Sequence, residues 1–133
     1  MRCRGASGTV TPETAEITKV GLTQSGAVTS GSGFTVQNGT IKCRFGGTVE
    51  VTGSVYMQGT AAADKYFGCY VLHNGAELTP GIRSANLGAA VSTPAETVSV
   101  SAGDSFTLCC RTNLSDGECL GGNSATWLSV RYI

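Results

Sequence analysis

Few side chains in this chain of 133 residues have the type and spacing needed for acid–base or covalent chemistry. The only histidine, His73, precedes an Asn–Gly pair, and no acidic or nucleophilic residue stands at a spacing that marks a catalytic partner. Spacing alone leaves open a pairing of His73 with Cys69 or Cys109, but no motif supports it. The sequence contains no Gly-x-Ser-x-Gly, phosphate-binding or dinucleotide fingerprint. We therefore predict a protein that is not an enzyme and uses no cofactor.

The thiols are the second reactive group. The six cysteines are Cys3, Cys43, Cys69, Cys109, Cys110 and Cys119. None forms a Cys-x-x-Cys pair, which argues against zinc, and we predict no metal site. The beginning of the sequence has no apolar signal-peptide region, so synthesis in a reducing cytoplasm with mostly free thiols is expected. Cys43, Cys69 and one of the adjacent pair are predicted to be small buried hydrophobic residues, while Cys109 and Cys110 point to opposite strand faces.

Exposed loops supply the candidate ligand-binding groups. The segment "SDGE" (115–118) places the carboxylates of Asp116 and Glu118 in a turn. A good calcium site uses about six to eight oxygen ligands, so a solvated turn is the main interpretation and weak calcium binding the alternative. Tyr66 and Asn86 are candidates for the same loop surface, because aromatic and polar groups on loops bind ligands.

The composition is that of a single domain of short strands. Charged residues make up 14% of the chain, against about 25% in ordinary soluble domains. Nine basic residues balance nine acidic ones, so nothing favours nucleic acid or an acidic membrane surface. No stretch approaches the roughly 18 apolar residues of a membrane-spanning helix. High glycine and low proline content favours strands joined by tight turns. Low charge is typical of chains that pack against copies of themselves or a larger assembly.

Alternation of apolar and polar residues locates the strands. In "TVEVTGSVYM" one face collects Val49, Val51, Val55 and Met57. Gly53 falls on that same face and is predicted to leave room for a bulky neighbour. In "TIKCRF" the shared face is predicted to hold Ile41, Cys43 and Phe45. Such alternation is typical of half-buried antiparallel strands.

The remaining elements follow from alternation and turn signals. Residues 1–15 show no period and are interpreted as an arm. Further strands are predicted at 16–23, 27–29, 66–73, 96–101, 105–112 and 125–133, with two short ones within 76–92. Asn74–Gly75 predicts a tight hairpin and "AGD" (102–104) a turn. Residues 113–124 are predicted to form a long loop.

The final strand is apolar on both faces. Leu128, Val130 and Tyr132 lie on one face, and the other face holds Trp127, Ser129, Arg131 and Ile133. A strand with large apolar groups on both faces needs cover from both sides. The core of the sandwich covers one face, and copies of the chain around an axis would cover the other. The alternative is that Trp127 lies in the core of a monomer.

Four segments, in this order, carry a family resemblance: "GGTVEVTGSVYM", "YVLHNG", "VSVSAGDSFTL" and "TWLSVRYI". The sequence resembles the tumour-necrosis-factor-like (TNF-like) jelly roll, shared with the globular heads of the first complement component. It is most similar to the forms found in bacteriophage and prophage structural proteins. The resemblance implies an all-β, antiparallel jelly-roll sandwich of 8–10 strands and a compact homotrimer without catalysis. The many cysteines and the lack of a stalk depart from the family and argue against a long-fibre role.

The predicted function is that of a non-enzymatic phage virion structural protein, a trimeric capsid-decoration or head-fibre protein. It is expected on the virion surface after synthesis in the bacterial cytoplasm. Residues 1–30 are the predicted attachment segment and 31–133 the jelly roll. Attachment is assigned to Arg2, Arg4 and Pro12. The trimer interface is assigned to Trp127, Ser129, Arg131, Ile133 and Tyr132. The alternative is a receptor- or glycan-binding tip of a tail fibre, with a ligand loop at Tyr66, Asn86, Asp116 and Glu118.

Overall fold

The computed structural model describes residues 1–13, 15–23, 33–60, 62–84 and 87–133. These residues form fifteen β-strands and no helix, so they contain no helix able to cross a membrane. The strands are β1 (Arg2–Gly5), β2 (Thr9–Val10), β3 (Thr18–Lys19), β4 (Leu22–Thr23), β5 (Phe34–Gln37), β6 (Thr40–Cys43), β7 (Gly47–Gln58), β8 (Tyr66–His73), β9 (Ala76–Glu77), β10 (Gly81–Ser84), β11 (Gly88–Ser92), β12 (Glu96–Val100), β13 (Ser105–Thr112), β14 (Glu118–Leu120) and β15 (Trp127–Tyr132).

The strands pair into two antiparallel sheets that form a sandwich. In sheet A the long strand β7 is central, with β11 and β12 on one edge and β15 and β14 on the other. Beyond these, β1 pairs with β15 and β4, and β2 pairs with β14. In sheet B the order is β10, β8, β13, β6, β5, with β9 beside β8 and β3 beside β13. The predicted all-β antiparallel sandwich is confirmed.

The core lies between the sheets, and alternation selects its residues. The apolar face of β7 is buried as predicted, at Val49, Val51, Val55 and Met57. Gly53 also faces the core, and a Cβ there would stand 2.8 Å from Val71 Cγ2 and 3.0 Å from Leu108 Cδ1. Side chains of sheet B therefore use the space that the glycine leaves, as the sequence predicts.

The turn after β8 and the turn before β13 lie at the same end of the sandwich. Strand β8 spans 66–73, as predicted, and Asn74 and Gly75 follow with φ of 51° and 84°. Positive φ at both central residues matches a two-residue hairpin turn, which explains the Asn–Gly pair. The neighbouring turn has Gly103 at φ 93° and leads into β13.

The structure corrects the interpretation of residues 1–15 as an arm. Residues 2–5 form β1 between β15 and β4, and Cys3 on this strand is fully buried. Strand β2 pairs with β14 at Cys119 and Leu120. Strands of two to four residues are too short to show a period, and β15 and β14, with which β1 and β2 pair, lie more than 100 residues away. The boundary predicted at residue 30 lies outside the described residues.

Four other predictions also need correction. The segment 16–23 is two strands, because the chain passes from sheet B at β3 to sheet A at β4. The predicted loop 113–124 contains β14, which pairs with β7. Phe45 is 57% exposed, since β6 ends at Cys43 and the alternation stops there.

Short strands that the sequence did not predict, such as β14, raise the number of strands to fifteen, above the predicted 8–10. The strand predicted at 27–29 lies outside the described residues.

Candidate functional site

The last strand, β15, lies near the middle of sheet A and has two unlike faces. Leu128 and Val130 are fully buried in the core. Trp127 and Ser129 point away from the core and are half-buried, and Arg131 on the same side is exposed. The side of sheet A turned away from the core is called the outer face here. Register places these residues on it: Arg2, Arg4, Glu50, Thr52, Ser54, Tyr56, Trp127, Ser129 and Arg131.

Trp127 is the largest group on the outer face. The guanidinium carbon of Arg2 lies 4.0 Å from the centre of the indole ring, in cation–π geometry. Ser54, directly opposite Trp127 on β7, is only 2% exposed although it lies on the outer face. Trp127 is thus not in the core of the subunit. Its indole covers the sheet surface and is itself partly covered by Arg2.

The charged side chains on the outer face are held by contacts within the subunit. Arg131 contacts Glu50 Oε1 through Nε at 3.0 Å and Nη2 at 2.9 Å. An exposed pair of this kind contributes about 0–1 kcal/mol, so its main effect is to fix the two side chains in place. Arg4 donates to the carbonyl of Gly122 at 3.0 Å. With Arg2 and Arg4 both engaged inside the subunit and Pro12 buried, the predicted attachment residues do not form a free arm.

Tyr132 and Ile133 were also predicted at the interface, but the structure places them differently from Trp127, Ser129 and Arg131. Tyr132 lies on the core side of β15 and stacks on Phe34 with ring centres 4.8 Å apart. Its hydroxyl donates to the carbonyl of Phe45 at 2.8 Å and accepts from the Phe45 amide at 3.2 Å. Tyr132 is therefore a structural residue of the subunit. Ile133 is 62% exposed at the end of the sheet.

A cavity of about 480 Å³ lies at the opposite end of the sandwich and is lined by Thr60, Ala62, Lys65, Asn113, Leu114, Ser115 and Asp116. Asp116 accepts bonds from the amide and the hydroxyl of Thr60, at 3.0 and 2.5 Å. These bonds, led by that from the hydroxyl, lower the pKa of Asp116. The carboxylate is thereby held ionised at the rim of the cavity.

The other predicted ligand-loop residues are only partly brought together. The amide of Tyr66 donates to Asn113 Oδ1 at 2.8 Å, next to the cavity. Glu118 accepts instead from the side chain of Gln58, and its carboxylate does not line the cavity. Asn86 lies outside the described residues. Asp116 is thus the predicted residue that the structure places in a concave site.

His73 has partners that sequence spacing did not reveal. Its Nε2 lies 2.9 Å from Asp104 Oδ2, and its ring stacks on Phe106 with centres 4.9 Å apart. The Ser101 amide, then Asn74 and His73, bond Asp104 and lower its pKa to about 2. The Asn74 amide also bonds to the Ser105 carbonyl at 2.9 Å. These bonds tie two neighbouring turns together, and the arrangement fits a structural clasp.

The burial predicted for Cys43, Cys69 and one of the adjacent pair is confirmed, and it extends to the other three cysteines. All six cysteines are free and buried. Cys110 belongs to the core, whereas Cys109 faces the other side of β13 beside Lys19. Within the described ranges, no group of three or more His, Cys, Asp and Glu side chains is placed to hold a metal ion.

Comparison with known proteins identifies the fold. No protein-family model and no curated protein matches the sequence. Among solved structures, murine APRIL at pH 8.5 superposes with a TM-score of 0.74 and 15% identity, covering 99% of this chain and 96% of that one. Murine APRIL at pH 5.0 gives 0.72 and 17%, covering 99% and 98%. Eiger TNF from S. frugiperda gives 0.69 and 14%, covering 99% and 90%. The fold is therefore a TNF-like jelly roll.

Proposed function

We propose that the chain is a non-enzymatic, homotrimeric structural protein of a virion, of the capsid-decoration or head-fibre type. The observation that carries this proposal is the placement of Trp127 on the outer face of sheet A rather than in the core. The TNF-like fold supports it, and the sequence resemblance to phage structural proteins gives it its particle context. Fold alone does not define function, so the proposal depends on what covers the outer face.

The surface chemistry of one subunit supports a repeating contact. Trp127 is only half-buried, and complete burial of such a side chain contributes about 1.5–3 kcal/mol relative to full exposure. Elsewhere, Ile82 on β10 is 56% exposed, and Leu87, which directly precedes β11, is 77% exposed. A face and an edge on the same chain can meet head to tail, and such contacts close into a ring when the rotation permits. A three-fold ring would cover both surfaces.

The trimer is tested by light scattering on the purified chain. Wild type is expected at three times 13.6 kDa. Trp127→Glu places a carboxylate beside Arg2 and Arg4, where one subunit tolerates it. In the trimer the same carboxylate would lie against the apolar side chains of the neighbouring subunit's edge, such as Ile82 and Leu87. We expect Trp127→Glu to be a folded monomer. The matched control is Leu72→Lys, on the outer face of sheet B beside Glu77, and it should remain trimeric. A monomeric wild type, or a trimeric Trp127→Glu, would contradict the proposed interface.

Fluorescence provides an independent measurement, because Trp127 is the only tryptophan. Acrylamide quenching of a trimer should be weak at high protein concentration and increase on dilution as subunits separate. The half-buried indole of one subunit leaves quenching measurable in the monomer. Quenching that is strong and independent of concentration in a trimeric sample would place the interface elsewhere.

The particle context has a separate test. Mass spectrometry of purified particles from the source should detect the chain, and a cryo-electron microscopy map should show three-fold density of its size on the surface. Synthesis in the bacterial cytoplasm followed by display on the virion belongs to this proposal. If the trimer forms but the particles lack it, the virion assignment is wrong while the interface stands.

The second candidate function is a receptor- or glycan-binding tip module of a tail fibre. The cavity at the end of the sandwich favours it, because Lys65, Asn113 and Asp116 surround a concave space with an apolar floor at Leu114. A glycan array probed with the wild-type protein tests this function. Binding that Asp116→Ala abolishes and that the exposed control Glu77→Gln, beside Leu72 at the other end of β8, preserves would support it. An array without signal would leave the structural role as the better proposal.

A further inference from the structure

Two buried thiols face each other across neighbouring strands of sheet B. The register of β8 with β13 places Cys69 directly opposite Cys110. Both side chains are 0% exposed and belong to the core, so they point to the same side of the sheet. Cys109, the preceding residue of β13, faces the other side beside Lys19. The proposed function makes no use of this pair of thiols.

Backbone hydrogen bonds define which kind of antiparallel pair the two cysteines form. The carbonyls of Leu108 and Thr112 each accept a bond of 2.8 Å from an amide of the segment 15–20, on the side of β13 away from β8. Cys110 lies midway between them in the alternation, so its amide and carbonyl also point away from β8. Cys69 and Cys110 therefore form a non-hydrogen-bonded pair, the kind in which opposite Cα atoms are about 4.5 Å apart and side chains are closest.

The other alternation of β13 is the one that bonds to β8. The carbonyl of Ser105 accepts from the Asn74 amide at 2.9 Å, at the end of the β8–β13 pair. Ser105 and Cys110 differ by an odd number of positions, so they bond to opposite sides of β13. The two ends of the strand thus agree on the type of pair that the cysteines form.

This geometry meets the requirements of a disulfide bond. A disulfide joins residues whose Cα atoms lie about 4.4–6.8 Å apart and whose Cβ atoms point toward each other. A directly opposite, non-hydrogen-bonded pair on one face of a sheet satisfies both conditions. The third thiol of this region of the core, Cys119, lies in sheet A opposite Met57, so no register sets it against another thiol.

We propose that Cys69 and Cys110 are the site of a cross-strand disulfide bond in sheet B, formed with a small disulfide such as oxidised glutathione as oxidant. The thiolate of one cysteine attacks a sulfur of oxidised glutathione and displaces one glutathione thiolate. The other cysteine loses its proton and attacks the protein sulfur of the mixed disulfide, which releases the second glutathione. Two protein thiols lose two protons and two electrons, and one oxidised glutathione becomes two reduced molecules.

Burial limits this reaction to the folding chain. Neither thiol has exposed surface in the folded subunit, so glutathione reaches them only before sheet A covers the core face of sheet B. Burial also raises the pKa of Cys69, which makes its thiolate scarce in the folded core. The bond should therefore form when the chain folds in an oxidising medium, and both thiols should stay reduced when it folds in a reducing cytoplasm. The proposal does not depend on the trimer or on the virion.

The test is to refold the full chain in mixed reduced and oxidised glutathione and then alkylate it under denaturing conditions. We expect four of the six thiols to be alkylated and peptide mapping to join the peptides of Cys69 and Cys110. Folded, reduced protein treated with the same mixture should keep all six thiols. Alkylation of all six thiols after refolding, or a bond mapped to another pair, would overturn the proposal.

Thermal unfolding reports whether the native register accommodates the bond. Closing a loop of about 40 residues should raise Tm by about 10 °C over the reduced protein. A bond between these two residues that lowers Tm would show that they are not held opposite each other in the native sheet. Peptide mapping and Tm of the wild type need no variant, so the test holds even if a variant fails to fold.

Variants separate this pair from the neighbouring thiols. Cys110→Ala should abolish both the bond and the Tm increase. The matched control is Cys109→Ala, adjacent in sequence and 2% exposed but on the opposite face, and it should leave both in place. Cys119→Ala should also leave both in place, because its register partner is not a thiol. A bond that persists in Cys110→Ala, or that is absent from folded Cys109→Ala, would contradict the assignment.

Discussion

Replacing Gly53 by alanine tests the packing that positions the outer face of sheet A. Gly53 lies on β7 opposite Leu128, next to the pair of Trp127 with Ser54. An added Cβ would stand 2.8 Å from Val71 Cγ2 and 3.0 Å from Leu108 Cδ1. Both distances are below the roughly 3.5–4.0 Å at which carbon atoms attract each other. We therefore expect Gly53→Ala to push the two sheets apart locally or to force side chains of sheet B from their rotamers.

The expected loss of stability is the cost of crowding in the core minus the gain from replacing glycine within a strand. An extra methyl group in a packed core costs about 1–3 kcal/mol. Alanine in place of glycine within a strand recovers about 0.5–1 kcal/mol. The backbone cannot easily move aside, because the Gly53 amide donates to Thr93 Oγ1 and the Thr93 amide donates to the Gly53 carbonyl, each at 2.9 Å. The crowding effect should dominate, with a net loss of about 1–2 kcal/mol.

Thermal and urea unfolding measure this loss. For a domain of this size, 1 kcal/mol corresponds to about 4 °C in Tm, so a decrease of about 4–8 °C is expected. The matched control is Gly21→Ala, where an added Cβ meets nothing within 4 Å, and its Tm should equal or exceed that of wild type. In a Val71→Ala background the Gly53→Ala cost should fall by at least half. Equal stability of the two glycine variants would refute this account of the core.

Three further perturbations have definite expected results. The pKa of Asp104 is lowered to about 2, so its stabilising effect is present above the ordinary value of 3.8 and is lost as pH falls through about 2. Unfolding scans from pH 5 to about 2 should show a smaller loss for Asp104→Asn than for wild type, and parallel losses would contradict the clasp. Tyr132→Phe removes the bonds to the Phe45 backbone and should cost about 0.5–1.5 kcal/mol in urea unfolding. Arg2→Met removes the charge above Trp127 and should increase acrylamide quenching, whereas unchanged quenching would exclude this stacking in solution.

Prediction from sequence succeeded where local signals are long and self-contained. Strand β7 has twelve residues of alternating character, and β8 and β13 have eight each, so side-chain period alone assigns their faces. The Asn74–Gly75 pair requires no partner to be recognised, because positive φ at two successive residues is a local property. These elements form the frame of both sheets, which is why the fold class was predictable.

Prediction failed where an element exists only through its partners. Strands β1 and β14 have four and three residues, and neither sequence has a pattern distinct from a loop. The pairing of β1 with β15 joins the two ends of the chain and brings Arg2 over Trp127. One usable signal was present, since "RCR" alternates around a cysteine that is fully buried. Three residues are too few to separate that signal from chance.

Antiparallel pairing explains why two contacts, His73 with Asp104 and Cys69 with Cys110, could not be predicted from sequence spacing. Strands β8 and β13 run side by side, so the turn after β8 and the turn before β13 meet at one end of the sandwich, and His73 reaches Asp104, 31 residues away. The same register sets Cys69 against Cys110 at the middle of the strands. Each of the two strands has eight residues and a predicted turn at one end. Placing those two turns side by side sets the register of the pair and predicts both contacts. The information was in the sequence, but it becomes usable only after the pairing of these two strands is assumed.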